Sequence, residues 1–150
     1  MSNSTSSTAA SHGVRDAVIS CIDYRFRPLI SAWIKDELND QADLVAVAGA
    51  AKTLLDPASE QYILGLIKIA EDLHGVTTVH ILNHVDCGAY GGSKLHAGEA
   101  QEKQFHANQC ALATQVIAQQ FPGLTVKHYI VDFDGVHAVA ETTEKIVSPA

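Results

Sequence analysis

Apolar residues along this chain fall into short continuous runs separated by longer stretches with a helical rhythm, and that alternation predicts strands and helices in turn. Ala17 to Ile22 is a brief β-branched run, which predicts a first strand, and Pro28 suits the opening turn of a helix over Leu29 to Leu38. Leu44 to Ala48 reads as a second buried strand ending at Gly49. Asp56 as N-cap and Pro57 as first residue then predict a helix with Ile63, Leu64, Ile67 and Ala70 on one face and Gly75 as its stop. Val76 to Leu82 is a third strand, leading into His84, Cys87 and a glycine-rich turn, Gly88-Ala89-Tyr90-Gly91-Gly92. A long helix from about Ala97 to Gln120 carries Phe105, Leu112, Ala113, Val116 and Ile117, is closed by Pro122-Gly123, and precedes a fourth strand, Leu124 to Val131.

Strands that alternate with helices predict an α/β fold: a single domain with a mostly parallel sheet of about four strands, right-handed crossovers and helices on its faces. The expected boundaries are a disordered Ser/Thr-rich tail over residues 1–13 and one domain over 14–150. Ligands of open parallel sheets bind beyond the carboxyl ends of the strands, where the strand order switches direction. Cys21 ends the first predicted strand and His84 follows the third, so the two meet there if those strands are neighbours.

Composition narrows the function classes. The chain is 47% hydrophobic and 18% charged, without an apolar run near the ~18 residues of a membrane helix. Ten Lys+Arg against 17 Asp+Glu give a net charge of -7, and the basic residues are scattered, which leaves no electrostatic footprint for nucleic acid. Three cysteines and a start without a basic and apolar signal region point to the cytoplasm. Organelle targeting by the Ser/Thr-rich start has little support, because the first Arg is Arg15.

The chemistry lies in two short segments, Cys21-Ile22-Asp23-Tyr24-Arg25 and His84-Val85-Asp86-Cys87. A lone Cys or His is ordinarily a packing or hydrogen-bonded residue. Two thiols and an imidazole at neighbouring strand ends instead suit one tetrahedral zinc ion, with the fourth position left for a reacting water. Asp23 and Arg25 lie two residues apart, so an extended segment points both side chains one way and lets the guanidinium clamp the carboxylate. Cys110 falls on the apolar face of the long helix and is assigned to core packing. Arg27, His96, His106 and His128 read as structural or solvated, Asp86 as a surface residue, and Tyr90 as lining a pocket or packing. Gly88, Gly91 and Gly92 match no phosphate-binding pattern and predict a tight turn with unusual backbone angles.

From about Val18 to Val131, the pair Cys21-x-Asp23-x-Arg25 and His84-x-x-Cys87-Gly88 closely resembles the motifs of the β-class carbonic anhydrases. The resemblance implies one zinc ion per chain held by Cys21, His84 and Cys87, with Asp23 and Arg25 as a catalytic dyad that orients the zinc-bound water or hydroxide. It further implies reversible hydration of carbon dioxide to bicarbonate, and a homodimer or dimer-based assembly with the pocket near the subunit boundary. An ionised Asp23 within reach could itself take the fourth zinc position. The chain departs from the family where an Arg-Asn-Ala-Gly stretch is usual, keeping only Ala48-Gly49, and it has Asn83 before the histidine. It also lacks the long N-terminal helices that commonly embrace a partner. Carbonyl sulfide and carbon disulfide hydrolases share the scaffold and motif and form the alternative activity. A non-catalytic zinc-stabilised binding domain is a further alternative, against which the Asp23/Arg25 pair speaks.

Overall fold

The computed structural model describes residues 15–139, so the tail expected over 1–13 lies outside the described residues. Among the described residues, five strands form one sheet in the order β2-β1-β3-β4-β5. They are β1 (Asp16–Ser20), β2 (Ala42–Ala46), β3 (Thr78–His84), β4 (Thr125–Asp132) and β5 (Gly135–Ala138). The first four are mutually parallel, and β5 runs antiparallel beside β4. The helices are α1 (Arg27–Leu38), α2 (Lys52–Leu55), α3 (Glu60–His74) and α4 (Glu99–Gln120). β2 and β3 flank β1 on opposite sides, so the strand order switches at β1.

Alternation along the central strands divides the core into two layers. Ala17 and Ile19 of β1 and Val79 and Ile81 of β3 face a cluster with Ile63, Leu64, Ile67 and Ala70 of α3 and Cys110, Ala113 and Ile117 of α4. Val18 and Leu82 point the other way, against Phe26, Ile30 and Ile34 at the start and along the inner face of α1. Burial on both faces accounts for the near-continuous apolar runs of β1 and β3. The edge strand β2 is half-buried at most, with Leu44 exposed.

The predicted α/β class matches the structure, which also meets the condition that the first and third strands be neighbours, while several boundaries shift. β1 stops at Ser20, so Cys21 and Ile22 follow the strand. Asp56 and Pro57 do not open the second long helix: α2 precedes them, and α3 begins at Glu60 after Ser59. Asp56 satisfies itself locally, its Oδ1 accepting the Ala58 N–H at 2.9 Å and its carbonyl the Ser59 and Glu60 N–H groups. That is a turn, which competes with capping for the same side chain. Gly75 stops α3 as expected, with φ +69°. The fifth strand exceeds the four expected, because Gly135–Ala138 is too short to carry a pattern. The two-residue connection Phe133-Asp134 makes it a hairpin in which Asp132 Oδ1 accepts the N–H groups of Asp134 and Gly135.

The two sides of α3 give a test of this packing. Ile67 is 1% exposed and Ile69 is 53% exposed. Denaturant unfolding of Ile67→Ala is expected to show a loss of ~2–5 kcal/mol, whereas Ile69→Ala stays within about 0.5 kcal/mol of the parent. Equal losses would place the helix in the wrong rotation.

Candidate metal centre

β1 and β3 are parallel neighbours whose carboxyl ends share one rim, and Ser20 pairs with Leu82. Cys21 leaves β1 at that rim, His84 is the last residue of β3, and Cys87 lies three residues on. The ligand atoms of Cys21, His84 and Cys87 all fall within 4.8 Å of one another. The sulfurs of Cys21 and Cys87 are 4.0 Å apart. This is far beyond a disulfide bond of ~2.05 Å and close to the ~3.8 Å between two thiolates on one tetrahedral zinc.

The imidazole of His84 is buried and stacks on Phe26, with ring centroids 4.4 Å apart. Its Nδ1 lies 2.6 Å from the Val85 carbonyl oxygen, which only accepts. The ring proton therefore sits on Nδ1 and the lone pair on Nε2, as a metal-ligating histidine requires. That Nε2 is buried without a hydrogen-bond partner; among the described residues only His106 Nε2 shares this condition. An orphaned buried acceptor is costly unless something completes it.

The electrostatics describe the cluster without a metal, where its three groups hold protons in common. The hydrogen bond with Cys87 lowers the Cys21 thiol to about 3, and the same contact, with burial, drives Cys87 up. The two sulfurs thus share one proton as a pair. A dication between them would release it. Burial works to lower His84, but the Cys21 sulfur and the Val85 carbonyl outweigh it and leave the imidazole raised.

Gly49 completes the surroundings of Cys21. Its N–H donates to the Cys21 sulfur at 3.4 Å, from a backbone at φ +87°. A Cβ there would lie 3.0 Å from Lys52 Cβ and 3.1 Å from Ala89 Cβ, so glycine is required on both counts. Read from the sequence, Gly49 was only the end of a strand.

Asp23 and Arg25 do meet, though in a turn rather than an extended segment. Arg25 Nε donates to both carboxylate oxygens of Asp23 at 3.1 and 3.2 Å, and Nη2 donates to Oδ2 at 2.7 Å. Asp86 lies at the surface as expected, its side chain 45% exposed, but it is not without partners. Its Oδ2 accepts Arg25 Nη1 at 3.0 Å and its carbonyl accepts Nη2 at 2.9 Å, so the guanidinium bridges two acidic residues. Arg25 lowers Asp23 to about 2 and is itself raised, first by Asp23 and then by Asp86. Asp23 Oδ2 lies 3.8 Å from His84 Nε2, which sets the pair beside the cluster. A cleft of about 550 Å³ opens onto Asp23, Arg25 and Asp86, with Gly88, Gly91, Gly92 and Lys94 also lining it. Gly91 and Gly92 have the positive φ expected of that turn, +94° and +85°.

The remaining candidates divide. Cys110 is enclosed in the core as expected, and burial pushes its thiol to about 12. Tyr90 packs edge-on against Phe105 and His106, and its hydroxyl accepts a hydrogen bond from Asn83 Nδ2 at 3.2 Å. His106 is not solvated: it is 0% exposed and gathers with His96 and Glu102 in a second cluster. Hydrophobic periodicity could not signal this, since Glu102 and His106 continue the buried stripe of α4 as polar residues.

A family model described as "Putative carbonic anhydrase" matches residues 12–140. An uncharacterized protein of Rickettsia bellii is 31% identical over 128 residues, covering 79% of this chain and 77% of the relative. An uncharacterized protein of Rickettsia conorii is likewise 31% identical over 127 residues, covering 79% and 68%. Among solved structures, the β-carbonic anhydrase CafA of Aspergillus fumigatus superposes with a TM-score of 0.61 at 16% identity, covering 91% of this chain and 81% of that one. The carbonic anhydrase of Glaciozyma antarctica gives 0.57 at 17% identity, covering 85% and 83%. A tetrameric β-carbonic anhydrase from Sordaria macrospora gives 0.51 at 11% identity, covering 94% and 88%. These likenesses establish a shared fold.

The thiols themselves provide a check that needs no activity. In metal-free, reduced protein, mass spectrometry after brief alkylation is expected to find Cys21 modified first and Cys110 untouched. Early modification of Cys110 would contradict its enclosure.

Proposed function

We infer the function from a premise of kinship: this chain belongs to the family described as "Putative carbonic anhydrase". The activity we propose is zinc-dependent, reversible hydration of carbon dioxide to bicarbonate. The observation that carries it is His84 Nε2, a buried lone pair without a partner, facing two sulfurs and the Asp23 carboxylate. A structural zinc site closes its tetrahedron with a fourth Cys or His. Here the fourth neighbour is a carboxylate already held by a guanidinium.

Two thiolates and a neutral imidazole form a soft donor set that selects zinc over magnesium, calcium or manganese. Cys21, His84 and Cys87 would hold the ion, which would supply Lewis acidity and lower the pKa of a water beside it. Asp23 accepts an O–H from the attacking water, which turns an oxygen lone pair toward the carbon of carbon dioxide. Arg25 keeps that carboxylate ionised and in place. With its pKa near 2, Asp23 is too weak a base to carry off the proton, which passes to buffer.

Two thiolates cancel the charge of a dication, so activation of water sets in at higher pH than beside three neutral imidazoles. The rate should accordingly rise into the mildly alkaline range. Asp23 titrates far below that range and does not generate the inflection.

Exposed Ile22 and Tyr24 flank Asp23, and exposed Phe133 lies against Phe26 and the Arg25 guanidinium. A second copy covering these side chains would close the cleft. We therefore expect a homodimer or dimer-based assembly, with carbon dioxide and bicarbonate as the small-molecule partners.

Purified protein is expected to hold one zinc per chain, lost in Cys21→Ser, His84→Ala and Cys87→Ser. Stopped-flow hydration should show Asp23→Asn zinc-replete yet slower by ~10²-fold, the size of a lost acid–base group. Arg25→Ala should fall similarly, with the double variant little worse, because residues acting as a unit are not additive. Undiminished hydration in zinc-replete Asp23→Asn would refute the dyad. Faster sulfide release from carbonyl sulfide or carbon disulfide, measured alongside, would move the substrate.

Light scattering at micromolar concentration is expected to give a dimer or a multiple of one. A monomer with full activity would contradict the assembly.

A further inference from the structure

Among the described residues, two clusters meet the same distance condition for a metal, and their proton positions separate them. The second brings ligand atoms of His96, Glu102 and His106 within 4.8 Å of one another. Asn83 decides its character. Its Oδ1 accepts the Ala51 N–H at 3.1 Å, so its amide nitrogen faces Tyr90 Oη at 3.2 Å and His106 Nδ1 at 3.1 Å. His106 Nδ1 is therefore the acceptor, and the ring proton sits on Nε2. The unpartnered Nε2 of His106 is a donor lying 3.9 Å from Glu102 Oε2, beyond hydrogen-bond reach, where that of His84 is a lone pair.

This second cluster thus encloses a carboxylate. Glu102 is 3% exposed and occupies the first turn of α4, where the free N–H groups of the helix favour negative charge. Its Oε2 accepts the Asp86 backbone N–H at 2.7 Å, and its Oε1 accepts the Ser93 hydroxyl at 2.8 Å. Glu102 therefore grips both ends of the loop from Asp86 to Ser93. Asp86 has φ +55°, a backbone state that a non-glycine residue keeps only when its surroundings hold it. From that state its Oδ2 and carbonyl oxygen both meet Arg25, and its Oδ1 accepts the Ser93 N–H at 2.9 Å.

We propose that Glu102 is a positioning residue for the Asp23–Arg25 pair, acting through the peptide and carboxylate of Asp86. The chain of contacts runs from the Glu102 carboxylate to the Asp86 N–H, from Asp86 to the Arg25 guanidinium, and from Arg25 to Asp23. Its catalytic consequence rests on the hydration activity proposed above. The geometric part, that Glu102 holds Asp86 and thereby Arg25, does not.

The test compares Glu102→Met, which keeps volume and removes both acceptors, with Glu102→Gln. The Gln amide oxygen can still accept the Asp86 N–H, and its nitrogen can donate to Ser93 Oγ. In zinc-replete full-length protein, Glu102→Met should lower kcat/KM for carbon dioxide roughly tenfold to hundredfold, the range expected when reacting groups are misplaced. Glu102→Gln should stay within about threefold of the parent. Without metal, NMR should find the Asp86 amide and the Arg25 Nε–H protected from exchange in the parent and in Glu102→Gln. Both should exchange at least ~10-fold faster in Glu102→Met, while β4 amides keep their protection.

An undiminished rate or an unmoved Asp86 amide in Glu102→Met would overturn the proposal. So would equal impairment of Met and Gln, which would point to lost charge rather than a lost acceptor. Should Glu102→Met fail to fold, Asp86→Gly tolerates the positive φ and removes the carboxylate that reaches Arg25. Full hydration by zinc-replete Asp86→Gly would likewise overturn it. A zinc-loaded parent that hydrates no carbon dioxide would refute the functional reading, and the metal-free exchange data would still decide whether Glu102 holds Asp86.

Discussion

The parallel register that sets Ser20 of β1 opposite Leu82 of β3 brings Cys21 and Cys87, 66 positions apart in sequence, to one rim of the sheet. Everything at the site depends on that pairing. Strands of the same polarity end on the same side, and because β2 and β3 leave β1 in opposite directions, the connections diverge there and open a crevice. A slip of one residue in β3 would turn His84 to the opposite face and bury the wrong half of the strand. Burial secures the register on both sides. Ala17 and Ile19 belong to one apolar layer and Val18 to the other, so a one-residue slip would exchange the two layers.

Apolar packing holds this register but stops short of the rim, where polar groups take over the interior. Asn83, Tyr90, His106 and Glu102 form a nearly dry layer between the sheet and the first turns of α4. Each buried polar group there narrows what its neighbour can do. Ala51 fixes the Asn83 amide, Asn83 fixes the His106 proton, and that proton turns His106 away from metal binding and toward Glu102. A half-satisfied network of this kind is costly, yet it gives the loop after β3 a defined shape that apolar contacts would leave loose. Rigidity at the rim comes from directed hydrogen bonds; rigidity of the sheet comes from volume.

Much of this was legible in the sequence because it rests on local pattern. The apolar runs of β1 and β3, the helical spacing of Ile63, Leu64, Ile67 and Ala70, and the stop at Gly75 each leave a signal in consecutive residues. The grouping of Cys21, His84 and Cys87 was also legible from their residue types, their spacing and their places at strand ends, on the condition, which the structure meets, that the two strands are neighbours. What escaped notice depends on which partner each polar group takes, and residue type alone does not say that. Asp56 resembles an N-cap in sequence, and only the turn around it shows where its oxygen goes. Asp86, Glu102 and His106 carry no periodicity; polar residues on a buried stripe are invisible to a hydrophobic pattern. Gly49 needs glycine because Lys52 and Ala89 crowd it and its N–H meets a sulfur, and neither fact is local.

One oxygen atom, Asp23 Oδ2, is drawn from two sides, and the balance between them decides what the carboxylate can do. Arg25 Nη2 holds it at 2.7 Å, while His84 Nε2, an atom of the cluster with Cys21 and Cys87, lies at 3.8 Å. To enter that cluster the carboxylate must give up its shortest contact with the guanidinium and loosen the contacts of Nε. Arg25 cannot follow it, because Asp86 grips the opposite side of the same group with both a carboxylate and a carbonyl oxygen. Charge-assisted, bidentate bonds are the stronger class of hydrogen bond, and solvent screening weakens them less where the carboxylate is mostly covered, as Asp23 is at 16% exposure. The arrangement therefore keeps Asp23 facing the cluster as an acceptor without making it a member. Loosening Asp86 would shift that balance and free the Asp23 carboxylate to turn toward the cluster, so a residue that belongs to neither Asp23 nor the cluster governs the distance between them.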